Sequence, residues 1–270
     1  MKGMEEELRF LRESIVEVDA AVVGISSVRW TAIPEAEATP ENAAPIMKAN
    51  RFDILPIVAS SAVKEYFCAD EWNTYTSISR KAITHRDVIP FDTRLRDVIR
   101  GFALDSRHFY FLNNNRKIVG LISVANLNCR AVKVYLFSLL AELEIQMGRF
   151  VLKHIPESEL LRMTFGVNVK AKHESVRKRY EADKANGLEV PFVEYLYLSD
   201  LINIVAAKKL FSHLGFSKRK RFEECFNPLN SLRDAVAHPS RSLIADEMSC
   251  KRLWERIDSI EEALFIFGSV

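Results

Sequence analysis

The first half of the chain repeats itself at a spacing of about 54 residues, and that repeat limits the fold more than any other feature. Thr39-Pro40-Glu41 opens a run with apolar Ala43, Ala44, Ile46 and Met47. Thr93-Arg94-Leu95 opens a second, with Leu95, Val98, Ile99 and Phe102. Thr at an N-cap, with Pro at the first helical position in the first copy, marks a helix start. Two strand pairs follow. Residues 53–58 lie 54 positions before residues 107–112, and residues 63–67 lie 55 before residues 118–122. The turns between them are Ala59-Ser60-Ser61 and Asn113-Asn114-Asn115. Asn tolerates positive φ, which suits the second to a tight hairpin. Each copy thus reads helix, strand, turn, strand, helix.

That order, met twice from near Ala32 to Val132, resembles a tandem pair of CBS (cystathionine β-synthase) domains. The best-kept stretch is Ile118-Val119-Gly120-Leu121-Ile122-Ser123-Val124-Ala125-Asn126-Leu127, where the family usually has Val-Gly-Ile-Ile-Thr-x-x-Asp-Leu. The resemblance implies an adenine-nucleotide regulatory ligand in the cleft between the repeats. Ser123 stands at the hydroxyl position that meets phosphate, Asn126 replaces the Asp that accepts from ribose hydroxyls, and Thr93 joins them as a ligand-binding residue. An amide accepts without the charge-assisted part of that bond. In the first copy Cys68, Glu71 and Glu65 align with Ser123, Asn126 and Gly120, so that copy looks degenerate. The alternative is a ligandless pair that only dimerises.

Composition fits a soluble globular chain. Of 270 residues, 48% are hydrophobic and 27% charged, which excludes a disordered tail, a collagen-like fibre or a membrane bundle. At about 150 residues per domain, two domains are expected. No apolar run approaches the roughly 18 residues a spanning helix needs. The opening Met1-Lys2-Gly3-Met4-Glu5-Glu6-Glu7 is acidic where a signal peptide would be basic. A cytoplasmic protein without a membrane partner is the expectation. Cys68, Cys129, Cys225 and Cys250 are isolated and the six histidines are scattered. Neither pattern suggests a metal site, and unpaired thiols suit a reduced compartment.

Charge is unevenly placed. Residues 149–221 carry a net +7 and residues 222–270 a net −4. Such a basic band attracts a polyanion or forms a solvated helical surface. Beyond Ser123 the apolar spacing is helical, through Leu136, Leu139, Leu140, Leu143 and Met147, with no Pro before Pro156. A long helix near residues 125–153 is expected to join two halves. Residues 170–186 read as a charged helix, Pro191 opens a core helix running through Val205, and residues 253–265 close an all-α bundle of about five helices.

The segment that carries chemistry is Asn227-Pro228-Leu229-Asn230-Ser231-Leu232-Arg233-Asp234-Ala235-Val236-Ala237-His238-Pro239. Asn227 suits an N-cap, Pro228 the first helical position, and Pro239 ends the helix at His238. Leu229, Leu232 and Val236 share one face. Asp234 and His238 lie opposite, with Arg233 at the edge. Arg-x4-His late in a bundle resembles the HEPN (higher eukaryotes and prokaryotes nucleotide-binding) domains, whose pattern is Arg-polar-x3-5-His. The resemblance implies a dimeric, metal-independent endoribonuclease leaving 2′,3′-cyclic phosphate and 5′-hydroxyl ends, with no cofactor for cleavage. An imidazole takes or gives a proton near neutral pH. A guanidinium holds phosphate oxygens in pairs and offsets charge in the transition state. Asp234 either fixes the tautomer of His238 or binds Arg233. Glu142 and Glu144 are within reach of the same cleft.

Arg177, Lys178 and Arg179, with Lys218, Arg219, Lys220 and Arg221, are the candidate RNA-binding residues. The sequence shows no aromatic interleaving for base stacking. The expectation is an α+β homodimer: a CBS pair with an N-terminal helix over residues 1–133, then a HEPN-like all-α domain over residues 134–270. It senses an adenosine-containing small molecule and cuts RNA, with a nucleotidyltransferase-type antitoxin as a further partner. The alternative is a non-catalytic CBS/HEPN module that binds and dimerises.

Overall fold

The computed structural model describes residues 15–60, 62–71, 74–105, 107–164, 171–238, 240–244 and 247–269. The fold is mixed α+β, with two compact units. One is Val18–Val132. The other is Lys133–Val270 with the residues ahead of Val18.

The first unit holds two four-stranded sheets. One has the order β2 (Ile33–Pro34), β3 (Ile54–Ala59), β4 (Ala62–Glu71), β5 (Thr74–Ala82). The other has the order β1 (Ile25–Ser26), β8 (Lys117–Ser123), β7 (Phe109–Asn114), β6 (Val88–Pro90). Three helices, α1 (Ala20–Val23), α2 (Pro40–Asn50) and α3 (Leu95–Leu104), complete it. The repeat is visible in the register. Ile54 pairs with Cys68 as Phe109 pairs with Ser123, and a bulge follows both Ile57 and Leu112. These equivalences are 55 residues apart throughout, not 54.

The difference traces to Thr93. Thr39 caps α2 by accepting from the Asn42 N–H at 3.3 Å. Its counterpart at the N-cap of α3 is Arg94, which makes no side-chain cap. The Thr93 hydroxyl donates instead to the Pro90 carbonyl at 2.7 Å. In the second hairpin Asn115 and Arg116 both take positive φ, 48° and 66°, closing a two-residue turn.

The first copy does not close with a helix. β5 follows β4 and pairs with it antiparallel, Glu65 opposite Ala82 and Cys68 opposite Ser79. Its Thr, Tyr and Ile residues favour extended backbone. In the second copy β1 takes the same place beside β8, with Ser26 opposite Gly120. A Cβ on Gly120 would come within 2.5 Å of the Ile25 carbonyl oxygen, so Gly is required where the first copy has Glu65. Ile33, Met47, Leu55, Ile57 and Phe67 form one core. Ile54, Tyr66, Phe109, Phe111 and Leu121 form a second.

The second unit is helical: α4 (Arg130–His154), α5 (Glu157–Thr164), α6 (Ala171–Ala185), α7 (Leu198–Ala207), α8 (Arg219–Ala237) and α9 (Glu247–Ser269). The long helix starts later than its apolar spacing suggests. A 3-10 turn covers Val124–Asn128, and extended Cys129 separates it from α4. Asp183 accepts from Leu188 N–H and Lys184 from Gly187 N–H, a Schellman end for α6 with Gly187 at φ 78°. The stretch from Pro191 to Val205 is split. A 3-10 turn at Phe192–Tyr195 precedes α7, which begins after Tyr197.

Pro228 is not at a helix start. It lies inside α8, which begins at Arg219. Phe222, Phe226, Leu229, Leu232 and Val236 are all buried along α8. That continuous apolar stripe outweighs the missing N–H of one interior Pro, a penalty of about 3 kcal/mol. Among the described residues no helix is long and apolar enough to cross a membrane.

Candidate functional site

Two places gather the side chains that carry chemistry. The first is a cavity of about 340 Å³ inside the N-terminal unit, a volume within the range of small-molecule sites. Ser123, Ala125 and Asn126 line it where β8 ends. Ile25, Ile54 and Leu121 supply apolar wall, Trp30 and Phe52 aromatic wall, and Arg29, Arg51 and His108 basic groups. Asp53 adds a carboxylate. Thr93 does not line this cavity.

Ser123 and Asn126 are locally engaged. Asn126 Oδ1 accepts from the Ser123 N–H at 2.7 Å and from the Ser123 hydroxyl at 2.9 Å. The backbone donor fixes which way the amide faces, because only its oxygen can accept. Asn126 therefore offers the cavity an N–H2 donor, and the carbonyl is already used. Arg51 reaches the cavity by an unusual route. α2 ends in a Schellman turn, with Phe52 N–H on the Met47 carbonyl and Arg51 N–H on the Lys48 carbonyl. Arg51 occupies its left-handed position at φ 55°, a conformation that favours Gly.

The second place is in the helical unit. Arg233, on α8, sits 3.7 Å from Glu144 Oε1 on α4. Its guanidinium lies 5.2 Å from the centroid of the Tyr197 ring. Glu144 also accepts from the Leu198 N–H at 3.1 Å, at the start of α7. Burial pushes the Glu144 carboxyl above its ordinary value. The Arg233 cation and the Leu198 N–H pull it back without cancelling the rise. Arg179, on α6, donates to the Tyr197 hydroxyl at 3.3 Å. Glu142 takes a different partner, accepting from Gln146 at 2.7 Å.

His238 is the C-cap of α8, its N–H on the Asp234 carbonyl at 3.2 Å. Its side chain is exposed, as is that of Asp234. Among the described residues no ion pair joins Asp234 to His238. Pro239, expected to end the helix, lies outside the described residues. The His238 carbonyl accepts from Lys133 Nζ at 2.9 Å, and Lys133 also donates to the Arg241 carbonyl at 2.7 Å. Lys133 is only 8% exposed, and its two bonds pin the chain beyond α8 to the first turns of α4.

The basic segments are partly self-neutralised. Arg177 lies 3.4 Å from Glu174 and 3.5 Å from Glu181. Arg219 pairs with Glu223, and Lys220 and Arg221 both face Glu224. Lys178 and Lys218 are exposed. Sequence patterns do not single out Tyr197, Arg29, Arg51 or His108. Lys133 alone left a trace there, as a charge inside the apolar run 132–136.

No family model matches the chain, and no curated protein does. A solved structure of a hexameric CBS-CP12 protein from bloom-forming cyanobacteria is similar over 67% of this chain and 95% of its own, at 13% identity and a TM-score of 0.30. A likeness of that strength carries no argument about ligand, activity or assembly. None of these comparisons supports a HEPN assignment.

Proposed function

We propose that the N-terminal unit is a receptor for an anionic, adenosine-type small molecule and that the chain is a ligand-responsive module of the CBS kind. The observation that carries this is Arg51. A helix end that favours Gly holds an Arg in the left-handed region, and that Arg lines a cavity with Arg29 and His108. A strained backbone at a residue that lines a cavity is a reason to look for use there. In this reading Arg29, Arg51 and His108 take phosphate, Trp30 and Phe52 flank the base, and Asp53 accepts from sugar hydroxyls. The Asn126 N–H2 donates.

A thermal-shift series with AMP, ADP and ATP tests it. Ligand at a hundred times its dissociation constant stabilises by about 2.7 kcal/mol. Ala125→Trp, which fills the cavity from its exposed rim, is expected to abolish that response. No shift with any of the three at millimolar concentration would overturn the reading.

A second reading, metal-independent RNA cleavage by the helical unit, rests on one observation. Arg233, half-buried against Glu144 and Tyr197, and the exposed His238 lie together at the C-terminal end of α8. One imidazole would take the 2′-hydroxyl proton and Arg233 would hold the phosphate. A second copy would supply the imidazole that protonates the 5′-oxygen. Total RNA with EDTA should give 2′,3′-cyclic phosphate ends with the wild type and none with His238→Ala. Equal, negligible cleavage by both proteins across several RNAs would leave a binding module.

A further inference from the structure

We infer that Tyr197, bracketed by Arg179 and Arg233, is a base-stacking and phosphate-binding subsite for single-stranded RNA. The inference deepens the RNA reading of the α8 terminus, on which the identity of its ligand rests. Four elements converge at this ring. It stands at the N-cap of α7 and is 37% exposed, in a unit whose rings Phe192, Phe222 and Phe226 are fully covered. Arg233 of α8 lies over the ring, Arg179 of α6 holds its hydroxyl, and Glu144 of α4 holds Arg233. Two guanidiniums thus meet at one aromatic ring, with the Glu144 carboxylate on Arg233 and the buried Asp200 carboxylate accepting from the Tyr197 N–H at 3.3 Å. Arg179 has no carboxylate partner among the described residues, in contrast to Arg177, Arg219 and Arg221.

This combination matches what a single strand presents. Every base has a face to lay against an aromatic ring, and a guanidinium beside the ring takes the adjoining phosphate. The ring and Arg179 both fall within the segment of net charge +7, residues 149–221, whose field draws a polyanion toward them. Arg233 belongs to both groups. It touches the ring and lies five residues before His238, about 7.5 Å along the helix axis. A strand stacked on Tyr197 would therefore run toward the imidazole. Sequence choice from such a subsite is weak, because stacking tolerates any base.

The test is binding, kept apart from cleavage. The probe is a fluorescein-labelled 12-nucleotide 2′-O-methyl RNA, which lacks the hydroxyl that cleavage needs. Anisotropy is read with the full-length protein in EDTA. Tyr197→Ala is expected to weaken binding about five- to hundred-fold, the range for one stacked base. Tyr197→Phe, which keeps the ring, should stay within about threefold of wild type on the same grounds. Arg179→Gln should weaken binding and lower the slope of log affinity against log salt by about one. A probe with abasic residues should bind the wild type and Tyr197→Ala alike. Should Tyr197→Ala fail to fold, the exposed Arg179→Gln carries the test.

Absence of binding at 100-micromolar protein in low salt would overturn the inference. So would wild-type binding that Tyr197→Ala and Arg179→Gln leave unchanged. Binding that depends on Tyr197, with RNA ends that His238→Ala does not alter, keeps the subsite and removes the cleavage reading.

Discussion

Arg51 shows how much one residue can say about use. In the left-handed region a side chain costs roughly 1–2 kcal/mol, and Gly at the same helix end would avoid it. Arg51→Gly is therefore expected to stabilise the N-terminal unit by about 0.5–1 kcal/mol, part of the gain being offset by the freer unfolded chain. The same change should remove the stabilisation that adenine nucleotides give, because a guanidinium is lost from the cavity wall. Urea titration with and without ligand reads both. A variant that is more stable and still responds would show that Arg51 is not a ligand contact. Ser123 and Asn126 make a related point. Their place at a strand end is legible from the motif, but the direction of their hydrogen bonds is not. Only the Ser123 N–H, sitting 2.7 Å from Asn126 Oδ1, shows that this oxygen is engaged and the amide N–H2 is what remains.

At the scale of elements, local signals and long-range packing disagree at identifiable places. Pro228 was readable as a first helical position because Asn227 precedes it, yet α8 runs through it from Arg219. Burial of Phe222 and Phe226 decides, and no local rule counts a stripe that extends upstream of a Pro. Pro228 itself is exposed, so Pro228→Ala loses little packing while restoring an N–H for the ladder. It should stabilise the helical unit by about 2–3 kcal/mol. A lower urea midpoint would show instead that the ring restrains the unfolded chain more than it harms the helix. β5 stands where the repeat predicts a closing helix: the second copy does coil at Val124–Asn128, whereas Thr74–Ala82 extends and pairs with β4. What the sequence makes legible is the repeat, the hairpin turns, the helical second half and the polar end of α8. Glu144 and Tyr197, both brought to Arg233 by tertiary packing across α4 and α7, leave no periodic trace. In the sequence Glu144 is only an acid within reach of the cleft, and nothing singles out Tyr197 in the stretch that Pro191 opens.

Taken whole, the molecule has two units with separate cores, and one carboxylate in each, buried Asp87 and half-buried Glu144, responds to pH with opposite sign. Asp87, in the N-terminal unit, is 5% exposed. Burial alone would raise its carboxyl. The Thr84 hydroxyl at 2.6 Å, the Thr84 N–H at 2.8 Å and the Arg107 guanidinium outweigh burial and hold it below its ordinary value. A depressed carboxyl contributes stability that is present above its unfolded value, about pH 4, and is lost as pH falls through its folded one. Glu144, in the helical unit, is raised, chiefly by burial. Its contribution is fully present below about pH 4 and is lost as pH rises through its folded value. Scanning calorimetry separates the two, provided each unit gives its own transition. Asp87→Asn should lower one transition at pH 7 by roughly 6–15 °C, the equivalent of about 1.5–3 kcal/mol for bonds to a charged group. That gap should close as the pH drops below about 4. Glu144→Gln should act on the other transition alone, with the wild type gaining on the variant as the pH is lowered from 7 toward 4. A single transition moved by both substitutions would show that the units unfold together. A Glu144→Gln gap that moved in the opposite direction would mean that the Arg233 ion pair, rather than burial, governs this carboxylate.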